Sequence, residues 1–488
     1  MAMAMAYSRD GEGLSPAGRL FHSPSFNCYV IAILGCKTDI NVEVIKEGLC
    51  HTLLKHPRFT SILVKKGRKT RWTQTTIDLD NHIIVPQIDS KPDYPDRFVE
   101  DYISNFTKTP LDISKPLWEL HLLNIKTSTA ESVGIFRIHH SLGDGTSLIS
   151  FLIACTRKTS DPNALPTVPT TNKKNVSVSN ARKCSTLVSF WMSVLSGVSL
   201  IWNTFVDVLF LVLTILFLKD THTPLKGSNG VELNTKKFVH RTVSMDDIKL
   251  IKTEMKTTVN DVLLGLAQAG ISRYLDREYG VEYKNDGTAT KRKSNIPNNI
   301  RLRASILINI RPSPGIQDLA DMMAEKGKAK WGNKMGYVTC PFNIVLHEDP
   351  LEYVRQAKAT IDRKKHSLEA ICSYACAKLV LYLFGAKVAG AITRRVLFHT
   401  TIAFSNVAGP VEEISFYGHP VAYIAPSVYG HPHALTIHFQ SYANQMTISL
   451  AVDPTIIPNP YLLCDDLEES LKLICDNVVK KKHIAEII

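Results

Sequence analysis

The chain carries no Gly-x-Ser-x-Gly elbow, no phosphate-cradling P-loop and no His-Glu-x-x-His pair. Their absence removes the α/β serine hydrolases, the nucleoside triphosphatases and the zinc peptidases. Its 10 cysteines are scattered, and none has zinc-finger spacing; Cys372 and Cys376 stand alone as a pair. No metal is expected. Several cysteines sit inside apolar runs, as small buried hydrophobes do. That usage fits a reducing, cytosol-facing location. Met1 to Gly18 alternates Met and Ala and then turns polar, without the basic start and long apolar core of a secretory signal. There is no internal repeat, heptad array or aromatic-basic RNA motif. The formal net charge of +12 therefore points to a membrane surface or an anionic substrate, not to nucleic acid.

Charge is also scarce in one place. From Ser185 to Leu218 the only charged residue is Asp207. Ile201 to Leu218 nearly reaches the roughly 20 residues that span a hydrocarbon core. Asn203 and Asp207 interrupt it, and an intramembrane Asp costs several kcal/mol. Two spans would need about 40 residues. The expectation is a surface-embedded or re-entrant helix pair, with a buried inter-domain helix as the alternative. A chain of 488 residues exceeds one usual core, which suggests an N-terminal domain over 1–158 and a Ser/Thr/Pro/Lys-rich linker over 159–183. A membrane-associating segment over 184–219 and a C-terminal domain over 220–488 would follow.

Against these absences stands His139-His140-Ser141-Leu142-Gly143-Asp144-Gly145. The apolar run Val133–Ile138 reads as a strand, and Leu148, Phe151, Leu152 and Cys155 mark a helix from Thr146. Strand, turn and helix place a histidine rigidly at a sheet edge. Alternation puts His139 and His140 on opposite faces, so one can face substrate while the other is structural. With an ordinary pKa of about 6.5, such a histidine suits general-base work. Gly143 and Gly145 are expected to supply unusual backbone angles. Further strands are expected at Cys28–Leu34 and Ala304–Ile310, and a hairpin at Leu435–Ser441 with Met446–Val452. Helices are expected from Val42, from Ser244, from Asn260 and over Tyr461–Val479.

Ser405 and Asn406, followed by a Gly-Pro turn, could donate to a developing oxyanion or merely shape a loop. Asn260 and Asp261 either touch substrate or merely cap a helix. Pro116-Leu117-Trp118 is a packing anchor or a channel wall. His431-Pro432-His433 lacks a third ligand and reads as a loop.

The His-His-x-x-x-Asp-Gly stretch resembles the signature of coenzyme A-dependent acyltransferases. Lys115-Pro116-Leu117-Trp118-Glu119-Leu120 resembles the PLW motif of the wax ester synthase/diacylglycerol acyltransferase family. Val259-Asn260-Asp261-Val262-Leu263-Leu264 resembles its ND motif. Asn309-Ile310-Arg311-Pro312 and Ser405-Asn406-Val407-Ala408-Gly409-Pro410 resemble later blocks, in the same order and most like the plant members. The DFGWG signature of the plant BAHD relatives is absent. This resemblance implies an α/β, two-domain, chloramphenicol-acetyltransferase-like fold with a tunnel at the domain interface. It implies acyl-CoA as substrate, no cofactor, and a long-chain alcohol or diacylglycerol as acceptor. It assigns the base to His140 and turns Asp144 away toward an arginine, for which Arg311 is the candidate. An endoplasmic-reticulum membrane, on its cytosolic face, or a plasma membrane is the implied location. Two alternatives remain: a silent lipid-binding or trafficking protein on this scaffold, and an acyltransferase for soluble alcohols or amines.

Overall fold

A computed structural model describes residues 12–23, 26–67, 69–88, 92–169, 186–285, 294–310 and 333–487. The chain begins α1 (Pro16–Phe21), β1 (Tyr29–Cys36), α2 (Val42–His51), β2 (Ser61–Lys66), β3 (Lys69–Gln74), β4 (Ile83–Ile84) and α3 (Pro95–Phe106). It continues β5 (Trp118–Leu123), β6 (Ser132–His139), α4 (Gly145–Ala154), β7 (Thr156–Lys158) and α5 (Thr186–Leu216). Then come β8 (Lys237–Ser244), α6 (Met245–Glu254), α7 (Val259–Asn285), β9 (Leu302–Asn309), β10 (Met335–Phe342), α8 (Leu351–Lys365) and α9 (Glu369–Phe398). The last elements are β11 (Ile402–Val407), β12 (Ile414–Phe416), β13 (His419–Tyr429), β14 (Leu435–Tyr442), β15 (Gln445–Val452) and α10 (Pro460–Ile487).

Short polar side chains set several of the helix starts, satisfying backbone N–H groups that have no partner within the helix. Asn41 caps α2 by accepting from Glu43 and Val44, and Ser244 caps α6 by accepting from Asp246 and Asp247. Thr258 and Asp261 cap α7 reciprocally: the Asp261 carboxylate accepts from the Thr258 N–H at 2.7 Å and the Thr258 hydroxyl from the Asp261 N–H at 3.3 Å.

Two larger sheets carry the fold, in the orders β4-β5-β6-β1-β13-β12-β7 and β10-β9-β11-β14-β15-β8. The first contains β12 and β13, whose residues the sequence assigns to the C-terminal domain. β13 lies antiparallel on β1, with Tyr29 opposite Tyr429, and Phe416 of β12 sits in the first core beside Ile31 and Trp118. The halves are therefore interlocked by strand exchange, not joined by a linker alone. Trp118 is fully buried and its indole N–H donates to the Phe59 carbonyl at 2.9 Å, so the Pro-Leu-Trp block is a packing anchor. A second core, with Val262, Leu266, Phe439 and Leu467, fills the space between the second sheet, α7 and α10.

The apolar run departs from expectation. It forms one continuous 31-residue helix, α5, about 46 Å long, not a re-entrant pair. The polar residues that argued against a membrane span are met by protein. The Asp207 carboxylate accepts from Arg363 at 2.7 Å and Lys364 at 2.9 Å, and Asn203 donates to the His366 carbonyl at 3.2 Å. The partner of α5 is instead α9, against which it packs. α9 shows no continuous apolar run in the sequence, because Lys378, Gly385, Lys387, Arg394 and Arg395 break up its apolar residues.

Candidate active site

β6 delivers His140 to the inner edge of the first sheet. The backbone N–H of His140 donates to the Cys28 carbonyl at 2.9 Å and that of His139 to the Leu117 carbonyl at 3.0 Å, which pins the strand end on both sides. The His140 imidazole stacks on Phe21, with ring centroids 4.4 Å apart and planes 19° from parallel. Its Nδ1 is buried without a hydrogen-bond partner. Burial pushes its pKa down, and the nearby Asp144 carboxylate opposes that only in part. The ring is therefore neutral near pH 7 and able to accept a proton.

His139 is built differently. Its Nδ1 accepts from the Ser141 N–H at 3.2 Å, its Nε2 lies 2.9 Å from Asn27 Oδ1, and its ring stacks on His22 at 4.2 Å. Both nitrogens are engaged, and burial holds its pKa well below the usual value. His140 lines the cavity and His139 packs behind it, as strand alternation requires.

Asp144 turns to the backbone. One oxygen accepts from the Ser147 N–H at 3.0 Å and hydroxyl at 2.9 Å, capping α4, and the other accepts from the Lys334 N–H at 3.3 Å. Asn333 adds a clamp by donating to the His140 carbonyl at 2.9 Å and the Ser141 carbonyl at 3.3 Å. These contacts from the C-terminal half were invisible in sequence, since Asn333 lies in no periodic segment. Arg311 lies outside the described residues. Gly145 does not take a positive φ, and an added Cβ would meet only Val407 at 3.6 Å. It supplies no special angle. As a cavity-lining position, its bareness leaves room for substrate.

The second sheet forms the opposite wall. Ser405 and Asn406, on β11, line the same cavity as His140, a space of about 500 Å3 between the sheets. Asn260 and Asp261 do not line it. Asp261 is fully buried as a cap, while Asn260 Oδ1 accepts from Asn406 Nδ2 at 2.6 Å. The two blocks thus meet through an amide pair.

The structure also brings His438 to the cavity. It sits on β14 in direct register with Ser405 on β11, and both its ring nitrogens are buried without a partner. Burial pushes its pKa down to about 4. Alternation within the expected hairpin could have found it: Leu435, Ile437 and Phe439 enter the core, while Thr436, His438 and Gln440 face the cavity. His431 and His433 border it as well. Their Nδ1 atoms lie 3.2 Å apart, and their Nε2 atoms meet the hydroxyls of Thr436 at 3.1 Å and Thr400 at 3.0 Å. Burial pushes the pKa of His431 down to about 3.

Residues 41–263 match the wax ester synthase/diacylglycerol acyltransferase catalytic domain, and residues 331–475 match the WS/DGAT C-terminal domain. The chain is 54% identical over 471 residues to wax ester synthase/diacylglycerol acyltransferase 11 of Arabidopsis thaliana, covering 96% of each. It is 52% identical over 475 residues to number 5 of the same plant, covering 95% of this chain and 93% of the relative. Among solved structures it resembles a wax ester synthase/diacylglycerol acyltransferase from Marinobacter aquaeolei VT8 (17% identity, TM-score 0.57, 96% of this chain and 99% of that one). It also resembles the first condensation domain of the CDA synthetase (11% identity, TM-score 0.52, 96% of each chain). At such identities the likeness speaks for the fold alone, a two-domain α/β architecture.

Proposed function

Because the chain belongs to the wax ester synthase/diacylglycerol acyltransferase family, it is an acyl-CoA-dependent O-acyltransferase, and we propose that it works at a membrane with His140 as general base. The donor is a fatty acyl-CoA. The acceptor is a long-chain alcohol, giving a wax ester, or diacylglycerol, giving triacylglycerol. His140 takes the acceptor hydroxyl proton as the oxygen attacks the thioester carbonyl. The C–O bond forms, the tetrahedral oxyanion collapses, the C–S bond breaks, and the imidazolium returns the proton to the leaving thiolate. Every proton in that cycle is carried by His140, and no step draws on a metal or cofactor.

Ser405 is the oxyanion donor in this scheme. Asn406 stands beside it, held by Asn260. Asp261 positions Asn260 by fixing the start of α7. The observation that carries this reading is a neutral, buried histidine lining a largely apolar cavity large enough for chains. Attachment is expected on the cytosolic face of the endoplasmic reticulum, where acyl-CoA is met.

The test is incubation of purified protein with palmitoyl-CoA and a panel of alcohols and diacylglycerol. Thioester loss matched by ester formation is expected. Tight lipid binding with no thioester loss would favour a silent lipid-carrying protein instead.

A further inference from the structure

α5 and α9 turn long apolar faces outward. Trp191, Leu195, Ile201 and Trp202 are exposed on α5, and Tyr382, Leu383 and Phe384 on α9. Each helix is long and apolar enough to cross a bilayer, yet the strand pairing forbids it. β9 lies between the two helices in sequence and pairs with β11, which follows both. β1 precedes both and pairs with β13, which also follows both. Hydrogen-bonded neighbours in one sheet lie on one side of a bilayer, so the helices lie along its surface.

Charge identifies the occupant of this face. α9 has no acidic residue after Glu369 and carries the exposed Lys378 and Lys387, while Arg394 pairs with Glu232 at 2.6 Å and Arg395 donates to the Ile215 and Leu216 carbonyls of α5. The only acid of α5, Asp207, is turned inward against Arg363 and Lys364. The outward surface is therefore apolar and cationic, which complements an anionic lipid surface. α9 is also broken at Gly385, where φ is +80° and ψ is 177°. Tyr382, Leu383 and Phe384 protrude just before that break, with Tyr382 84% exposed, between Lys378 and Lys387. An aromatic-aliphatic tip flanked by lysines that can reach back to headgroups is an interfacial anchor in composition.

The same two helices wall the cavity. Leu211 and Ile215 of α5 and Val380, Ala389 and Ile392 of α9 line it. Cys376 of α9 both lines the cavity and is exposed, so the cavity reaches the surface there.

We propose that α5 and α9 together form one in-plane docking surface for an anionic phospholipid bilayer, with Tyr382–Phe384 as its inserted tip, and that the acceptor passes from lipid into the cavity beside Cys376. The acceptor route rests on the acyltransferase reading above; the docking surface does not.

The experiment compares the full chain with Leu383→Asp/Phe384→Asp, two exposed positions that do not line the cavity. Flotation is measured with vesicles of phosphatidylcholine, with and without phosphatidylserine. Transfer from palmitoyl-CoA is measured to hexadecanol carried in those vesicles and to soluble butanol. The parent is expected to float, more strongly with phosphatidylserine. The double variant should lose about tenfold or more of its flotation and of its hexadecanol transfer, with butanol transfer unchanged. Lys378→Glu/Lys387→Glu, which spares the apolar tip, should lose the phosphatidylserine preference. Flotation of the Asp variant equal to the parent would overturn the docking surface. So would a parent dimer that does not float and becomes monomeric on substitution, since a second copy would then cover the face. Equal loss of butanol and hexadecanol transfer in a variant that melts like the parent would overturn the route. A parent that floats but turns over neither alcohol would overturn the acyltransferase reading and leave the docking surface standing.

Discussion

The cavity has two kinds of wall. Where the sheets border it, polar groups are fixed by backbone and by other buried groups: His140 by the Cys28 carbonyl and the Asn333 clamp, Ser405 by strand register with His438, Asn406 by Asn260. Where α5 and α9 border it, the inner face is largely apolar, with Ser373, Tyr374 and Thr393 of α9 its polar members, and the outer face is exposed. The first wall can orient reacting atoms, because its side chains sit on strands whose ends are tied. The second fixes no reacting group and can admit chains. On the proposed reading, chemistry and substrate delivery fall on opposite sides of one space. A variant in one wall should leave the function of the other intact.

The largest effect is expected at the base. His140→Ala should lower kcat about 10²–10⁴-fold, with a thermal transition close to the parent's. His139→Ala should instead cost about 1–3 kcal/mol of stability, because the Asn27 and Ser141 groups it meets are left unpaired. Turnover measured beside a melting curve separates the two; loss of rate without loss of stability in His139→Ala would reverse their roles. Next comes Ser405→Ala, expected to lower kcat about 10²–10³-fold with little change in KM, as removal of an oxyanion donor does. An increase in KM alone would make Ser405 a binding residue. Asn260→Ala, which removes one hydrogen bond to Asn406, should lower kcat about two- to tenfold. Restoration by Asn260→Asp, whose carboxylate can still accept from Asn406 Nδ2, would mark it as a positioning residue.

How much of this was legible in sequence differs between the walls as well. The strand–turn–helix around His140 was readable, because a continuous apolar run, a His-His pair and a Gly-Asp-Gly turn each carry a local signal. The opposite faces of His139 and His140 followed from strand periodicity alone. His438 was readable in principle by the same alternation. Asn333 was not, because a clamp from a non-periodic segment leaves no pattern. The strand exchange that puts β12 and β13 in the first sheet was also hidden, since a pairing of residues about 400 apart, such as Tyr29 with Tyr429, has no local cause. On the helix wall, α5 announced itself through lack of charge, but Arg363 and Lys364, which pair with its Asp207, lie far along the chain. α9 was masked by its own cations.

The smallest effect concerns pH. Burial lowers the pKa of His140, pushes those of His431 to about 3 and His438 to about 4, and does the same to His240, to about 4. These groups stay neutral in the folded state while the unfolded chain takes up protons below about pH 6.5. The unfolded state then binds more protons, so stability falls as pH drops from about 6.5 toward 4 and is level above about 7. The melting temperature should follow that course. For catalysis, kcat/KM should fall on the acid side through a pKa below the ordinary histidine value, and the double substitution at the membrane tip should not move that pKa.

The separation of the two walls is tested most directly by measuring turnover and vesicle flotation on one preparation of His140→Ala. The account predicts that this protein floats with phosphatidylserine-containing vesicles as fully as the parent, while its transfer to soluble butanol falls at least about 100-fold. Butanol transfer within a few-fold of the parent by a well-folded His140→Ala protein would contradict it.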